Sequence, residues 1–156
     1  MTGTFVYTPL YSLLHTLALW GGGRLHFPRE RVGQVIQLEG EDWQIFRQVV
    51  VDARPGQPEV PAVVFRPRFH VAGMSPARNM RFSLLPIPFF IGLPGFRSKL
   101  WLINPRSGDF SGWYEWDRRA DAEAYSRSFA MRFMARRSLP GSVSWQIIPK
   151  PRLQMA

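Results

Sequence analysis

The stretch FRSKLWLINPRSGDFSGWYEW at residues 96–116 decides the fold. Residues 96–103 alternate with the two-residue period of a β-strand. Residues 104–109 combine Asn, Pro, Ser, Gly and Asp, as turns do, and residues 110–116 supply a returning strand. The stretch therefore predicts an antiparallel β-hairpin.

Upstream of this hairpin, the sequence predicts one strand and one short helix. Residues 62–71 (AVVFRPRFHV) are a strand candidate, and Pro67 restricts that point to a sheet edge or a bulge. Residues 79–90 predict a short helix that breaks near Leu85, before two prolines.

Downstream, Asp117 is placed to cap a helix over about residues 118–137, and residues 143–148 predict a final strand. From residue 62 the order is β, α, β, β, α, β. This order predicts an α+β fold of the ferredoxin-like split βαβ type, in which an antiparallel sheet carries two helices on one face.

The first 60 residues predict an extension in front of a domain at residues 61–156. Thr8 and Pro9 begin an amphipathic helix, and the glycines at 21–23 end it. Its apolar face holds Leu10, Leu13, Leu14 and Leu17. We expect this face to dock on the core or on a second subunit rather than on a membrane surface, because the helix carries no Lys or Arg. A valine-rich strand follows at residues 47–52.

Composition and charge exclude several function classes. The chain of 156 residues has no cysteine, which rules out disulfides and cysteine-ligated metals, and its three histidines lack metal-motif spacing. The net charge of +9 arises entirely after residue 60. Nucleic-acid binding is nevertheless disfavoured, since no RNP1 pattern is present. The N-terminal apolar run is too short to span a bilayer and follows no basic region, so we expect a cytoplasmic protein.

The chain resembles a known family in four of its segments. These are GLPGF at residues 92–96, Lys99 with Trp101, Gly112 with Tyr114 and Trp116, and DAEAY at residues 121–125. Together they are similar to the YdhR-like monooxygenases of the dimeric α+β barrel superfamily. The resemblance covers residues 62–149. It implies a homodimer with a pocket between sheet and helices in each subunit, and an activity such as cofactor-free oxygenation of phenolic or enolisable substrates. Haem stays open as a ligand, because the superfamily includes haem-degrading enzymes.

Candidate substrate-binding residues follow from strand alternation. Lys99 and Trp101 share one strand face, where a cation and an indole suit an anionic oxygen on a flat ring. The alternative is that Lys99 reaches solvent and Trp101 is plain core. Further candidates for the pocket wall are Tyr114, Trp116, Tyr125 and Phe129.

Candidate catalytic residues are His70 as a general base, with Arg68 and Lys99 to stabilise a developing negative charge. Arg66, Arg68 and His70 occupy every second position and therefore share one strand face. The alternative interpretation is that this face is only the polar face of an edge strand. Asn79 is placed to donate to an oxyanion or to cap the short helix. These residues predict a cofactor-independent monooxygenase or isomerase acting on a small aromatic or hydrophobic ligand. A non-catalytic ligand-binding or scaffold homodimer is the alternative.

Overall fold

The computed structural model describes residues 8–151 and 154–155, and these form five helices and eight strands. The elements are α1 (Pro9–Gly21), β1 (Leu25–His26), β2 (Val35–Leu38), β3 (Glu41–Val51), β4 (Val63–Phe69), α2 (Pro76–Phe82), α3 (Ile87–Phe90), β5 (Phe96–Ile103), β6 (Phe110–Trp116), α4 (Arg119–Ser126), α5 (Phe129–Arg136), β7 (Ser144–Pro149) and β8 (Gln154–Met155). No helix in this part of the chain is long and apolar enough to cross a membrane.

All strands belong to one antiparallel sheet with the order β7-β4-β6-β5-β3-β2-β8, and β1 pairs with β3. The inner order β7-β4-β6-β5, with helices between β4 and β5 and between β6 and β7, is that of a ferredoxin-like domain. The predicted α+β fold is therefore confirmed. The N-terminal extension continues the same sheet, because β3 pairs with β5 along most of its length.

Strand alternation separates two apolar cores, one on each face of the sheet. The core on the helix side includes Phe65, Phe90, Trp101, Tyr114 and Tyr125. The core on the other face contains eight buried residues, which are Ile36, Leu38, Trp43, Ile45, Val64, Leu100, Leu102 and Trp113. A single chain thus buries both faces.

The second core is covered by β2 and the first half of β3, because the sheet curls on itself. A bulge between Ile45 and Arg47 shifts the register of β3 on β5. The β2–β3 turn then reaches the opposite side of the sheet, where Glu39 lies 3.6 Å from Arg66 and Glu41 pairs with Arg68. The homodimer that the family resemblance implies would cover this face with a second subunit. The β2–β3 hairpin covers it within one chain instead, and dimerisation stays a prediction.

The helices differ from the expected bounds for local reasons. The helix predicted over residues 118–137 is two helices, because Ser128 caps α5 by accepting a hydrogen bond from the Met131 amide. The cap predicted at Asp117 is wrong: Arg118 occupies the N-cap position, and Asp117 forms an ion pair with Arg97. The short helix before β5 also divides into α2 and α3, as its prolines require.

The orientation of α1 is the opposite of the one expected. Thr8 caps the helix as predicted. However, α1 buries Ser12, Thr16 and Leu19 and leaves the leucine stripe exposed, with Leu14 at 55%. Both buried hydroxyls donate hydrogen bonds to the Pro88 carbonyl. The small side chains allow a backbone contact at Gly92, where a Cβ would overlap the Ser12 carbonyl. Docking of the leucine stripe on the core is therefore wrong.

Candidate functional site

A pocket lies between strands β5 and β6 and the helices α2, α3 and α5. The structure brings Lys99, Trp101, Tyr114 and Tyr125 together in its wall, on the helix side of the sheet. Asn79 from α2 also lines this pocket. These five side chains come from three separate segments of the chain, which only the folded domain places side by side. We refer to it below as the Lys99 pocket.

Two cationic side chains, Lys99 and Arg137, line the pocket, and Lys99 is surrounded by aromatic rings. Its Nζ lies 4.2 Å from the ring centroids of Trp101 and Tyr114 and 4.6 Å from that of Phe90. Only 6% of the residue is exposed. Within the described residues, no carboxylate forms an ion pair with Lys99. The alternative in which Lys99 reaches solvent at a sheet edge is wrong.

Burial holds the pKa of Lys99 well below its usual value, and the nearby Arg47 guanidinium lowers it further. The three ring faces act in the opposite direction, because an aromatic face attracts the protonated amine. Burial and Arg47 therefore make Lys99 a stronger candidate for proton exchange with a ligand than an exposed lysine would be.

Arg47 is a residue of this site that the sequence did not single out. Its guanidinium lies 5.4 Å from the centroid of the Trp101 ring. It also donates hydrogen bonds to the Ser83 hydroxyl and to the Met80 carbonyl, at 2.6 Å and 2.9 Å. Arg47 therefore ties the end of α2 to the sheet next to the Lys99 pocket. Its place in a strand was visible, but its proximity to Lys99 depends on the pairing of β3 with β5.

Tyr114 and Tyr125 form a buried pair whose ring centroids are 5.1 Å apart. Burial raises the pKa of both phenols, so both hydroxyls stay protonated at neutral pH, and the hydrogen bond between them raises the pKa of Tyr125 further and partly offsets the rise for Tyr114. Gly112 makes this arrangement possible, because a Cβ at that position would overlap the Tyr114 ring. The glycine of the sequence FSGWYEW thus shapes the pocket.

Asn79 is buried, with 7% of the residue exposed. Its backbone amide continues the helix by donating to the Ser75 carbonyl, and Ser75 supplies the helix cap. The capping role considered for Asn79 is therefore taken by Ser75. In the described part of the chain the Asn79 side chain has no hydrogen-bond partner, although it lines the Lys99 pocket. The Asn79 amide is therefore available for a hydrogen bond with a ligand in this pocket.

Two of the predicted pocket residues lie outside the Lys99 pocket. Trp116 is fully buried in the helix-side core, with its ring against Phe96 and Tyr125. Phe129 lines a separate apolar groove on the helix layer, together with Leu85 and Phe133. Trp116 therefore fills the core, and Phe129 stands beside the pocket.

Arg68 and His70 lie on the sheet face opposite Lys99, so the structure does not bring the three predicted catalytic residues together. Arg68 stacks over Trp43 of the second core at 5.2 Å. His70 Nδ1 lies 2.8 Å from Asp109 Oδ1, and Arg68 lies 2.7 Å from Asp109 Oδ2. The expected contact of His70 with a substrate held by Lys99 is wrong. Alternate residues of β4 face opposite sides, and Phe69 is the one that lines the Lys99 pocket.

The ion pairs of this opposite face are coupled through Asp109. Burial alone would raise the Asp109 pKa, but hydrogen bonds from His70 and Arg68 outweigh burial and lower it. The hydrogen bonds to Glu41 and Asp109 raise the pKa of Arg68. These ion pairs therefore hold the β2–β3 turn against β4, where the sheet curls on itself, and have a structural role.

The volume of the Lys99 pocket limits what it can hold. The cavity measures about 70 Å³, below the range of about 300–1,000 Å³ typical of ligand sites. A ligand must therefore be small or displace side chains, and the half-exposed Phe133 stands at the edge of the pocket. Haem does not fit this cavity, and no histidine among the described residues lines it.

Comparison with known proteins supports the fold. No protein-family profile and no curated protein sequence matches the chain. Among solved structures, a ferredoxin-fold protein of Listeria monocytogenes related to antibiotic biosynthesis monooxygenases is similar over 83% of this chain and 93% of its own, with 11% identity and a TM-score of 0.53. The heme-degrading enzyme LmHde of Listeria monocytogenes is similar over 88% and 94%, with 13% identity and a TM-score of 0.54.

An anthrone oxidase-like protein is similar over 74% of this chain and 56% of its own, with 15% identity and a TM-score of 0.52. At such identities these likenesses show the fold alone. The chain therefore has a ferredoxin-like fold, which it shares with these solved structures.

Proposed function

We propose that this protein is a cofactor-independent, monooxygenase-like enzyme that acts on a small, flat, hydrophobic substrate with a phenolic O–H or an acidic C–H. The observation that carries the proposal is Lys99, a buried amine in an aromatic pocket that has no carboxylate partner among the described residues. An anionic ring is the ligand that would satisfy both the amine and the ring faces. The monooxygenase-like fold supports the reaction class.

In this proposal the general base that takes the proton of the substrate is Lys99 and not His70. The neutral amine accepts a proton from the substrate, and the ammonium ion then faces the substrate anion within the pocket. The substrate ring packs against Trp101 and Tyr114, and the Asn79 amide donates to the developing oxyanion. Arg68 and His70 take no part, because they lie on the other face of the sheet.

The anion is electron-rich enough to react with molecular oxygen directly. Carbon–oxygen bond formation gives a hydroperoxide anion, which recovers the proton from the Lys99 ammonium. Loss of water then breaks the O–O bond and the remaining C–H bond of the same carbon and leaves a carbonyl group, so one oxygen atom enters the product and the other leaves as water. The amine returns to its neutral state.

The test is a screen of phenols and 1,3-dicarbonyl compounds, read by quenching of tryptophan fluorescence and by oxygen consumption. Lys99→Met should lower turnover by about a hundredfold or more, the usual effect of losing a proton-transfer or charge-stabilising group. Lys150→Met is the matched control, since Lys150 is the one other lysine in the sequence and pairs with Glu115. Unchanged turnover in Lys99→Met would overturn the proposal.

A non-catalytic ligand-binding or scaffold role is the second candidate, and the small volume of the cavity favours it. The two candidates differ in one observable. With a non-catalytic binding protein, the ligand quenches tryptophan fluorescence and no oxygen is consumed. With an enzyme, the ligand quenches the fluorescence and oxygen is consumed. Homodimerisation is what the family resemblance implies, but the described residues that line the Lys99 pocket all come from one chain, so the proposed activity does not require a second subunit.

A further inference from the structure

The helix layer of the molecule presents exposed apolar side chains that the fold leaves uncovered. On α1, Leu10, Leu14 and Leu17 are each more than half exposed, and Trp20 is 70% exposed. Leu84 and Leu85, between α2 and α3, are exposed to a similar extent. We call this set of six residues the leucine surface.

The leucine surface adjoins an apolar groove. Pro9 at the start of α1 meets Leu85, Phe129 and Phe133 around this groove, whose wall is almost entirely apolar. Phe133 also lines the Lys99 pocket. The apolar surface is thus continuous with one side of that pocket. Large exposed apolar patches on a folded domain mark contact sites for proteins or membranes.

Unpaired arginines accompany the apolar surface on the same layer. Arg78 and Arg81 lie on α2, Arg127 follows α4, and Arg132 and Arg136 lie on α5; all five are exposed. Within the described residues none of them pairs with a carboxylate, and the two acidic residues of these helices, Asp121 and Glu123, already pair with Arg118 and Arg119. The helix layer is therefore both apolar and strongly positive.

We propose that the helix layer docks on an anionic lipid surface, with the leucine surface inserted at the interface and the arginines on the headgroups. Charge decides between the possible occupants. A second copy of this chain would bring a net charge of +9 against the same positive layer, whereas anionic lipids of a cytoplasmic leaflet complement it. Trp20 stands at the end of α1, and tryptophan is favoured at membrane interfaces.

The sequence argument against a lipid contact was that α1 carries no basic residue. The structure supplies the basic residues from neighbouring helices instead. Inverted docking of α1, through Ser12 and Thr16, is what leaves its leucines facing outward. The proposal does not depend on the proposed function, because none of the six residues of the leucine surface lines the Lys99 pocket.

Co-flotation with vesicles tests this proposal. We expect binding to vesicles of equal parts phosphatidylcholine and phosphatidylglycerol, weakened by added salt, and little binding to phosphatidylcholine alone. Absence of binding to the anionic vesicles, or equal binding to both, would overturn the proposal.

Two variants locate the surface. Leu14→Gln should weaken vesicle binding about tenfold or more. Arg132→Gln with Arg136→Gln should weaken it about thirtyfold. Arg29→Gln with Arg106→Gln is the control, since it removes the same charge from exposed sites outside the helix layer. A loss in this control equal to that of the α5 pair would overturn the assignment. So would a stable dimer that Leu14→Gln converts to a monomer.

Discussion

Lys99 and Trp101 project from the same face of β5, and the Lys99 Nζ lies 4.2 Å from the centroid of the Trp101 ring. Across the sheet, Lys99 is opposite Tyr114 on β6 and Trp101 is opposite Gly112. The register of this hairpin thus places Tyr114 beside the amine and Gly112 beside the indole, and the Tyr114 ring lies over Gly112. This arrangement shapes the wall of the Lys99 pocket.

Replacing Lys99 with methionine should stabilise the protein. Methionine keeps the length of the side chain and removes a buried amine that has no carboxylate partner among the described residues. We expect a gain on the order of 1–4 kcal/mol at neutral pH, because folding of the wild type costs the desolvation or deprotonation of this amine, and replacement of buried ionic groups by packed apolar ones gives gains in this range. Urea unfolding checks this, with Lys150→Met as the control.

The stability gained in Lys99→Met should decrease as the pH rises. Burial lowers the pKa of Lys99 in the folded protein, whereas the unfolded chain keeps the usual 10.5. Between these two pKa values the unfolded chain holds more protons, so wild-type stability rises with pH. The advantage of Lys99→Met should therefore be greatest at low pH and shrink as the pH rises to 10.5. A constant advantage across this range would show that Lys99 titrates normally in the fold.

Gly112→Ala should disturb the Lys99 pocket. The added methyl group overlaps the buried Tyr114 ring, and overpacking of this kind destabilises by about 1–3 kcal/mol. Ligand binding should weaken with it. Gly21→Ala is a suitable control, because a Cβ at Gly21 touches nothing. Wild-type stability and ligand affinity in Gly112→Ala would mean that the Tyr114 ring is free to move away.

Asp109→Asn should destabilise the protein at neutral pH by about 1 kcal/mol, since it removes the charge that pairs with Arg68 and His70. The pKa of Asp109 is lowered in the fold, so its contribution is present above the usual value of 3.8 and is lost as the pH falls through the folded value. The free energies of unfolding of the variant and the wild type should therefore become equal at low pH.

Urea unfolding as a function of pH measures this, and Glu30→Gln is a control that removes an exposed carboxylate without an ion pair in the described structure. Activity of the Lys99 pocket should be unaffected by Asp109→Asn. A loss as large as that of Lys99→Met would place the Asp109 cluster in the mechanism after all.

The curled sheet leads us to expect a monomer. Light scattering across a dilution series should give the mass of one chain, 18.0 kDa. Trp43→Ala should cost about 3–5 kcal/mol in unfolding measurements, because Trp43 is fully buried within the single chain. A mass of twice 18.0 kDa would restore the homodimer expected from the family resemblance.

The sequence by itself determined the order of the ferredoxin-like elements and which side chain shares the strand face of Lys99. Strand period and turn composition are local properties, and the two-residue alternation of β5 and β6 already places Lys99 with Trp101 and Tyr114 with Trp116. The same local rule paired Arg68 with His70 on one face of β4. Alternation tells which residues share a face, and it does not tell which face meets the helices.

Only the tertiary structure decided that question. Phe65 and Phe69 of β4 face the helices, and this sends Arg68 and His70 to the other side, toward Asp109. The orientation of α1 was decided in the same way. Its leucine stripe is the more apolar face, but Ser12 and Thr16 find the Pro88 carbonyl at short range. Which face of an element is buried depends on partners that are distant in the chain, and no local pattern contains them.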